Sequence, residues 1–519
     1  MLGINNQFAA TSGEGNGSQF AKALNAFENQ DYDSALIIIQ AVIKVSSDNQ
    51  DAYLLLGEIL MRQARWDEAI GLYDQLKQIM PDNINVHFNQ GLALGEKQQH
   101  TLSAQCYQRA CQLNPQSFVI HYNLATVLMT LKQLQEAEKH FHQVLKIQPD
   151  FKEAIYNLGV LCQLNDRFEQ AVVWYLVVIK KDHNHILALK NLAFCERKRG
   201  NYQKAAEWMQ ILIRLQPDNA LLYYELGVIQ LDAELYTGAV DSLVTSIQLD
   251  PESIPPYDNL VRAYVGANNY AAAIEIGSQV LIMKDNLAGA AKGVQIISNE
   301  RNQLQRNKNI IAFSLWGNDP TYTVGAIENV QLAHQLYPGW ICRFYCDQSV
   351  SFEVTEKLAL LGAEVEFLET WTENCYERLF WRFFVANDLQ VNYFLVRDAD
   401  SRLNIREAKA VEQWLETGKW FHIMRDDITH TELILAGMWG GKAGLLPNIN
   451  TIAEPYYESN DQRWSDQLFL RNEIWPVIKQ YSLIHDGYYE LFDASGYSTT
   501  DEIGSSERVA VSHKITNRS

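Results

Sequence analysis

The chain has 519 residues, of which 47% are hydrophobic and 20% charged, with a formal net charge of -19 and an isoelectric point near 5.1. That length is too great for one hydrophobic core, so two or more domains are expected. The acidic balance argues against a general nucleic-acid binder, which needs a basic face to displace counterions from phosphates.

The start, MLGINNQFAATSGEG, has neither a basic n-region nor an apolar h-region. No secretory leader is expected, and residues 1–15 read as a flexible N-terminus. No run of about 18 apolar residues occurs, so no membrane span is expected. The cysteines are Cys106, Cys111, Cys162, Cys195, Cys342, Cys346 and Cys375. An odd count without framework spacing fits reduced thiols in a cytoplasmic protein. Cys342 and Cys346, four apart in an apolar run, read as small core residues on one strand face.

Residues 16–287 carry a period of 34, as from Gly57 to Gly91. One column reads Ala23, Gly57, Gly91, Ala125, Gly159, Ala193, Gly227, Val261. A second reads Ala35, Ala69, Ser103, Ala137, Ala171, Ala205, Ala239, Ala273. Pro81, Pro115, Pro149, Pro217 and Pro251 form a third, with His183 in place of proline once. Small residues recur where paired helices must approach, and proline recurs where each second helix ends. The pattern resembles the tetratricopeptide repeat, with eight units. It implies an all-α, right-handed solenoid with a concave inner face and, usually, a protein partner. Residues 288–308 are expected to supply a closing helix and linker.

Asn89, Asn123, Asn157, Asn191 and Asn259 share one repeat position. A carboxamide both donates and accepts. A row of them can hold an extended peptide by its backbone, and it resembles the asparagine ladder of the O-linked N-acetylglucosamine transferase solenoid. The alternative is that each asparagine bonds only to the neighbouring helix.

After Asn309 the helical period stops. Strand-like NIIAFSLWG, WICRFYCD, EVEFLE and VNYFLVRD alternate with helix-like TVGAIENVQLAHQLY, EVTEKLALLGA and the aromatic YERLFWRFFVANDL. This alternation predicts a mainly parallel sheet covered on both faces. Ligands of such sheets collect beyond the carboxyl ends of the strands, where Asp398 and Asp400 stand. A local surface ion pair is the alternative for these two aspartates.

Residues 309–495 resemble the GT-A fold glycosyltransferases that use nucleotide sugars, most closely the glycogenin and galactosyltransferase-like family 8 and its relatives. The resemblance rests on five elements in order: YERL (Tyr376, Arg378, Leu379), the strand ending in Asp398-Ala399-Asp400, LILAGMWGG, WSDQLFL (Asp466, Gln467) and the late His485 in LIHDGYY. Two departures stand out. Arg397 precedes the first aspartate, and no lysine follows His485 closely; Arg378, Arg382 or Arg397 could replace it, since arginine suits bidentate phosphate contact.

The resemblance implies a divalent ion, Mn or Mg, bound by Asp398, Asp400 and His485 and bridging the phosphates of a nucleoside-diphosphate sugar. Asp398 would reach metal or ribose. Tyr376, Arg378, Arg382, Arg397 and Asp398 would face the donor, with Trp316, Asn318 and Tyr322 near the base; Trp316 reads equally well as core. Asp466 and Gln467 would lie beside the donor sugar, and Asp466 could instead cap a helix. In FHIMRDDITH, His422, Arg425, Asp426, Asp427 and His430 read as sugar and acceptor contacts rather than as a second metal site. His485 could also be an ordinary core or surface histidine. Three functions follow: a transferase acting on a protein held in the repeat groove; an interaction scaffold whose transferase-like domain is inactive or only binds nucleotide; and a transferase for glycans or lipids with repeats for assembly. Residues 496–519 are polar and expected to be partly disordered. The oligomeric state stays open.

Overall fold

A computed structural model describes residues 16–289, 295–297, 306–369, 375–457, 464–497 and 511–512. The chain divides into two compact units, Met1–Pro217 and Asp218–Ser519.

The first unit holds twelve described helices: α1 (Asn16–Glu28), α2 (Tyr32–Val45), α3 (Gln50–Arg62), α4 (Trp66–Ile79), α5 (Ile84–Glu96), α6 (His100–Leu113), α7 (Phe118–Thr130), α8 (Leu134–Ile147), α9 (Lys152–Leu164), α10 (Phe168–Lys181), α11 (Ile186–Lys198) and α12 (Tyr202–Leu215). They pair as the 34-residue period predicts. Ala35, Ala69, Ser103, Ala137, Ala171 and Ala205 are each 0% exposed, so the second column is the buried seam. Gly57, Gly91 and Gly159 of the first column sit under a tyrosine ring from the second helix: a Cβ at Gly91 would lie 2.8 Å from Tyr107. Larger residues there would force the pair apart. Between the helices of each pair one residue takes a left-handed conformation: Gln30, Ala64, Gln98, Lys132, Asp166 and Gly200. Only one of these is glycine, so the turn is imposed by helix packing rather than by residue type.

The second unit begins with α13 (Ala220–Asp232), α14 (Tyr236–Leu249), α15 (Ile254–Gly266) and α16 (Tyr270–Ala288). The expected closing helix over 288–308 falls largely outside the described residues; within them α16 runs to Ala288 and 295–297 are not helical. The α/β part follows: β1 (Lys308–Leu315), α17 (Pro320–Leu336), β2 (Trp340–Cys346), α18 (Phe352–Leu360), β3 (Glu364–Phe367), β4 (Val391–Val396), β5 (Ser401–Arg402), α19 (Ile405–Thr417), β6 (Phe421–Arg425), β7 (Trp439–Lys442), α20 (Ile449–Tyr457), α21 (Ser465–Phe469), α22 (Trp475–Ile478), β8 (Ser482–Asp486) and β9 (Val511–Ser512).

Seven strands form one sheet in the order β3-β2-β1-β4-β7-β6-β8. All neighbours pair in parallel except at β7, which is antiparallel to both β4 and β6. Alternate residues of β1 serve opposite cores. Ile310 and Ala312 join Phe383, Trp439 and Trp475; Ile311, Phe313 and Leu315 join Val330, Leu358 and Trp414. Burial on both faces explains the continuous apolar runs of β1 and β4. Cys342 and Cys346 lie buried together, as their spacing predicts.

Two details differ from the sequence expectations. YERLFWRFFVANDL is not an α-helix but two 3-10 segments, Cys375–Leu379 and Trp381–Asn387, because Phe380, Trp381, Phe383 and Val385 are all buried and packing overrides the 3.6 period. In LILAGMWGG, residues 433–438 form a turn-rich loop and only Trp439–Gly441 are strand, in the short β7. Within residues 496–519, β9 pairs antiparallel with β5, and Arg406 lies over the Tyr497 ring at 4.1 Å.

Candidate nucleotide-type cavity and asparagine column

Chain order reverses between β1 and β4: β1 leads outward to β2 and β3, and β4 lies on its other side. At such a switch point the loops leaving the two strands diverge and open a crevice. A cavity of about 770 Å³ occupies that place. Its wall comes from Ser314–Asp319 at the end of β1 and beyond it, Asp398–Ser401 after β4, Leu435–Met438 before β7, and Tyr322, Leu379, Arg382, His430 and Gln467. The volume suits a ligand of nucleotide size.

Arg382 organises the cavity's charge. It is buried, its backbone N–H donates to Ser314 Oγ at 3.0 Å, and its guanidinium bonds both Asp398 and, at 3.0 Å, Asp466. Burial pushes the Asp466 carboxyl above its usual range, against the pull of Arg382. Burial and the neighbouring Asp398 charge do the same to Asp400. Gly437 is required behind Asp398, because a Cβ there would fall on the carboxylate. Placed with its nitrogen toward the Ile434 carbonyl (2.8 Å) and its oxygen toward Ala436 N–H (2.9 Å), the orientation that satisfies both, the Gln467 carboxamide spans the loop before β7. Asp466 does not cap α21. Asp426 is buried and faces His430 Nδ1 at 3.0 Å.

Of the residues singled out in the sequence, Trp316, Asn318, Tyr322, Arg382, Asp398, Asp400, His430 and Gln467 line this one cavity. Others do not. Arg397 is turned away: it is 2% exposed, pairs with Glu407 of α19 and donates to the carbonyls of Val396 (2.7 Å) and Trp439 (3.2 Å). A guanidinium beside a buried carboxylate and two carbonyls has no reason to leave for a phosphate. His485 sits on the edge strand β8, three strands from β4, roughly 14 Å at sheet spacing. Its Nδ1 bonds His422 Nε2 at 2.8 Å and its Nε2 meets Gln413 Oε1 at 2.9 Å. Burial pulls its pKa down to about 4. His485 is thus a core histidine, and so is His422, stacked on Trp414. Arg378 pairs with Asp347 at 2.8 Å, and neither it nor Tyr376 lines the cavity. Arg425 is locked to Asp486 at 2.6 Å, and Asp427 accepts from Thr429 N–H at 2.9 Å.

Sequence reasoning missed Gly437, Ala399, Ser401 and the 435–438 loop as wall. The glycine-rich stretch is visible in the sequence, but its apolar run reads as a continuous strand rather than as a loop.

The asparagine column has its own geometry. Asn157 Nδ2 donates to Tyr122 OH at 3.4 Å, and Asn191 Nδ2 to Tyr156 OH at 3.0 Å and Tyr175 OH at 3.2 Å. Asn259 Nδ2 donates to Tyr224 OH at 3.3 Å. Each reaches a tyrosine 35 residues earlier, so bonding to the neighbouring repeat does occur. Asn89 and Asn123 are buried.

Family models described as tetratricopeptide repeat match residues 26–88, 84–117, 118–151 and 195–254. The amino-terminal helices are tetratricopeptide repeats, and a mixed α/β sheet follows them. Similar solved structures include YrrB, described as a TPR protein with an unusual peptide-binding site (16% identity, 36% of this chain and 95% of that chain, TM-score 0.33). Another is a tetratricopeptide repeat protein from Parabacteroides merdae (18%, 48% and 98%, TM-score 0.36). A third is MamA from Desulfovibrio magneticus (20%, 33% and 96%, TM-score 0.31). No curated protein sequence matches the chain. No helix among the described residues is long and apolar enough to cross a membrane.

Proposed function

We propose that the chain is an interaction scaffold whose repeats hold an extended stretch of a protein partner and whose α/β part holds a nucleoside diphosphate. The observation that carries the reading is the repeat array with its half-used asparagines. Asn157 and Asn191 spend a donor on tyrosine hydroxyls, and among the described residues no donor reaches their Oδ1. A backbone N–H of a bound peptide is a fitting partner for such an acceptor. Selection of displayed peptides against the full chain tests this. Peptides are expected to enrich, and Asn157→Ala with Asn191→Ala is expected to weaken the best of them at least tenfold. Absence of enrichment contradicts the reading.

A second reading, a metal-dependent transferase moving a sugar from a nucleoside-diphosphate donor to the bound protein, is favoured by one observation: Asp398, Asp400 and Gln467 open on the same cavity as Trp316. Two carboxylates one residue apart suit one side of a hard ion such as Mn or Mg, although Asp398 is already paired with Arg382, and His485 does not fit the set. Bound there, the ion would offset charge on a leaving diphosphate. Trp316 would stack on the base, and Arg382 would keep Asp466 fixed beside the sugar. Nucleotide release from a panel of nucleotide sugars, lost in Asp400→Ala, supports this reading; no release with any donor leaves the scaffold alone.

A further inference from the structure

Three ligand-type side chains from three successive helices converge in the first unit. Cys111 of α6, His121 of α7 and His140 of α8 place one sulfur and two nitrogens within 4.8 Å of one another. We propose that Cys111, His121 and His140 bind a Zn-type divalent ion that fastens α6, α7 and α8 together. One thiolate and two imidazoles are the donor set of a borderline-soft, tetrahedral ion.

The geometry supports it at the level of atoms. Cys111 Sγ stands 3.6 Å from His121 Nδ1. Ligands at about 2.3 Å (sulfur) and 2.0–2.1 Å (nitrogen) from a tetrahedral ion lie roughly 3.6 Å apart. The two Nδ1 atoms of His121 and His140 are 2.9 Å apart, a hydrogen-bond spacing that an ion would open to roughly 3.3 Å. His140 is half-buried and has room for that shift. His121 Nε2 lies 3.1 Å from the Pro115 carbonyl. That carbonyl accepts only from a ring protonated at Nε2, which leaves the Nδ1 lone pair aimed at the cluster. A carbonyl behind a ligating imidazole is the usual orienting partner at metal sites.

The repeat itself does not demand these residues. His87 makes the same bond to Pro81 O at 2.7 Å, so that ring contact belongs to the repeat. At the position of Cys111 the other units have Ile43, Lys77, Leu145, Ile179, Ile213, Ile247 and Leu281. At the position of His140 they have Ile38, Leu72, Cys106, Trp174, Trp208, Ser242 and Ile276. Only the junction of the α5–α6 and α7–α8 repeats brings a cysteine and two histidines to these three positions. Burial pushes the Cys111 thiol up to about 12 and, with the nearby His121, pulls His140 below its ordinary range. Ion binding would therefore release the thiol proton and require the His140 proton on Nε2. Three protein ligands leave a fourth position for water or for a partner's side chain.

Cobalt titration of the full chain, purified without a histidine tag and stripped with chelator, tests the proposal. One equivalent is expected to give thiolate-to-cobalt charge-transfer absorption, displaced by zinc. Cys111→Ser is expected to abolish that band, and His140→Ala to weaken binding at least tenfold while leaving the helical circular dichroism unchanged. His140→Ala keeps the test informative should the more buried His121→Ala fold poorly. No charge-transfer band, or a band that survives Cys111→Ser, overturns the proposal.

Discussion

Arg382 donates to Asp466 across 3.0 Å, with both side chains buried, and the same guanidinium holds Asp398 at the end of β4. One cation thereby ties three chain segments together, two of them, at Arg382 and Asp398, in the cavity wall. Removing one partner of a buried pair leaves an uncompensated charge and costs about 3–5 kcal/mol. Arg382→Met is expected to lose stability on that scale in urea unfolding. A loss under about 1 kcal/mol would mean that the cluster is hydrated and not a structural centre.

Asp400 gives a pH signature. Its carboxyl is held above the ordinary range by burial and by Asp398. A raised folded-state pKa contributes stability that is present below the unfolded value, about 3.9, and is lost as pH rises through the folded value. Asp400→Asn removes that loss. The variant is expected to be more stable than the parent at pH 7 and to converge with it near pH 4. Greater stability of the parent at pH 7 would show that the carboxylate is favourably paired there.

Gly437 backs the Asp398 carboxylate without a side chain. Gly437→Ala is expected to displace Asp398 and to cost about 1–3 kcal/mol through overpacking. Calorimetric titration with nucleoside diphosphates should show weaker binding than the parent. Unchanged stability and binding would place the ligand elsewhere.

The repeat pattern announces itself because small residues at Ala69, Gly91 and Ala137 must recur wherever helices touch. The left-handed turns do not, since Gln98, Lys132 and Asp166 carry no glycine signal. In the α/β part, strand and helix order follows from apolar runs and the Asp398–Asp400 position from topology. What stayed hidden were contacts between distant segments. Nothing near Arg397 in the chain announces that Glu407 will bury beside it. Nothing near His485 says that His422 is its partner. A late histidine reads alike whether it faces a cavity or a neighbouring strand.

The boundary between repeats and sheet is the clearest such case. Lys284 on α16 is 1% exposed and pairs with Asp258 (3.0 Å) and Glu432 (2.6 Å), while Asp285 accepts from Trp475 Nε1 at 2.6 Å. Leu281 and Ala288 share the core of Trp439 and Trp475. A fragment of residues 218–519 is therefore expected to unfold cooperatively, and one of residues 306–519 to aggregate or bind a hydrophobic dye. Equal behaviour of the two would place the working boundary after α16.

Amide hydrogen exchange on the full chain, with and without a selected peptide, tests the proposed scaffold most directly. Protection is expected in α5, α7, α9 and α11, the helices carrying Asn89, Asn123, Asn157 and Asn191, and is expected to vanish in the Asn157→Ala, Asn191→Ala variant. Protection confined to the α/β part, or unchanged in that variant, would contradict the peptide-holding role of the repeats.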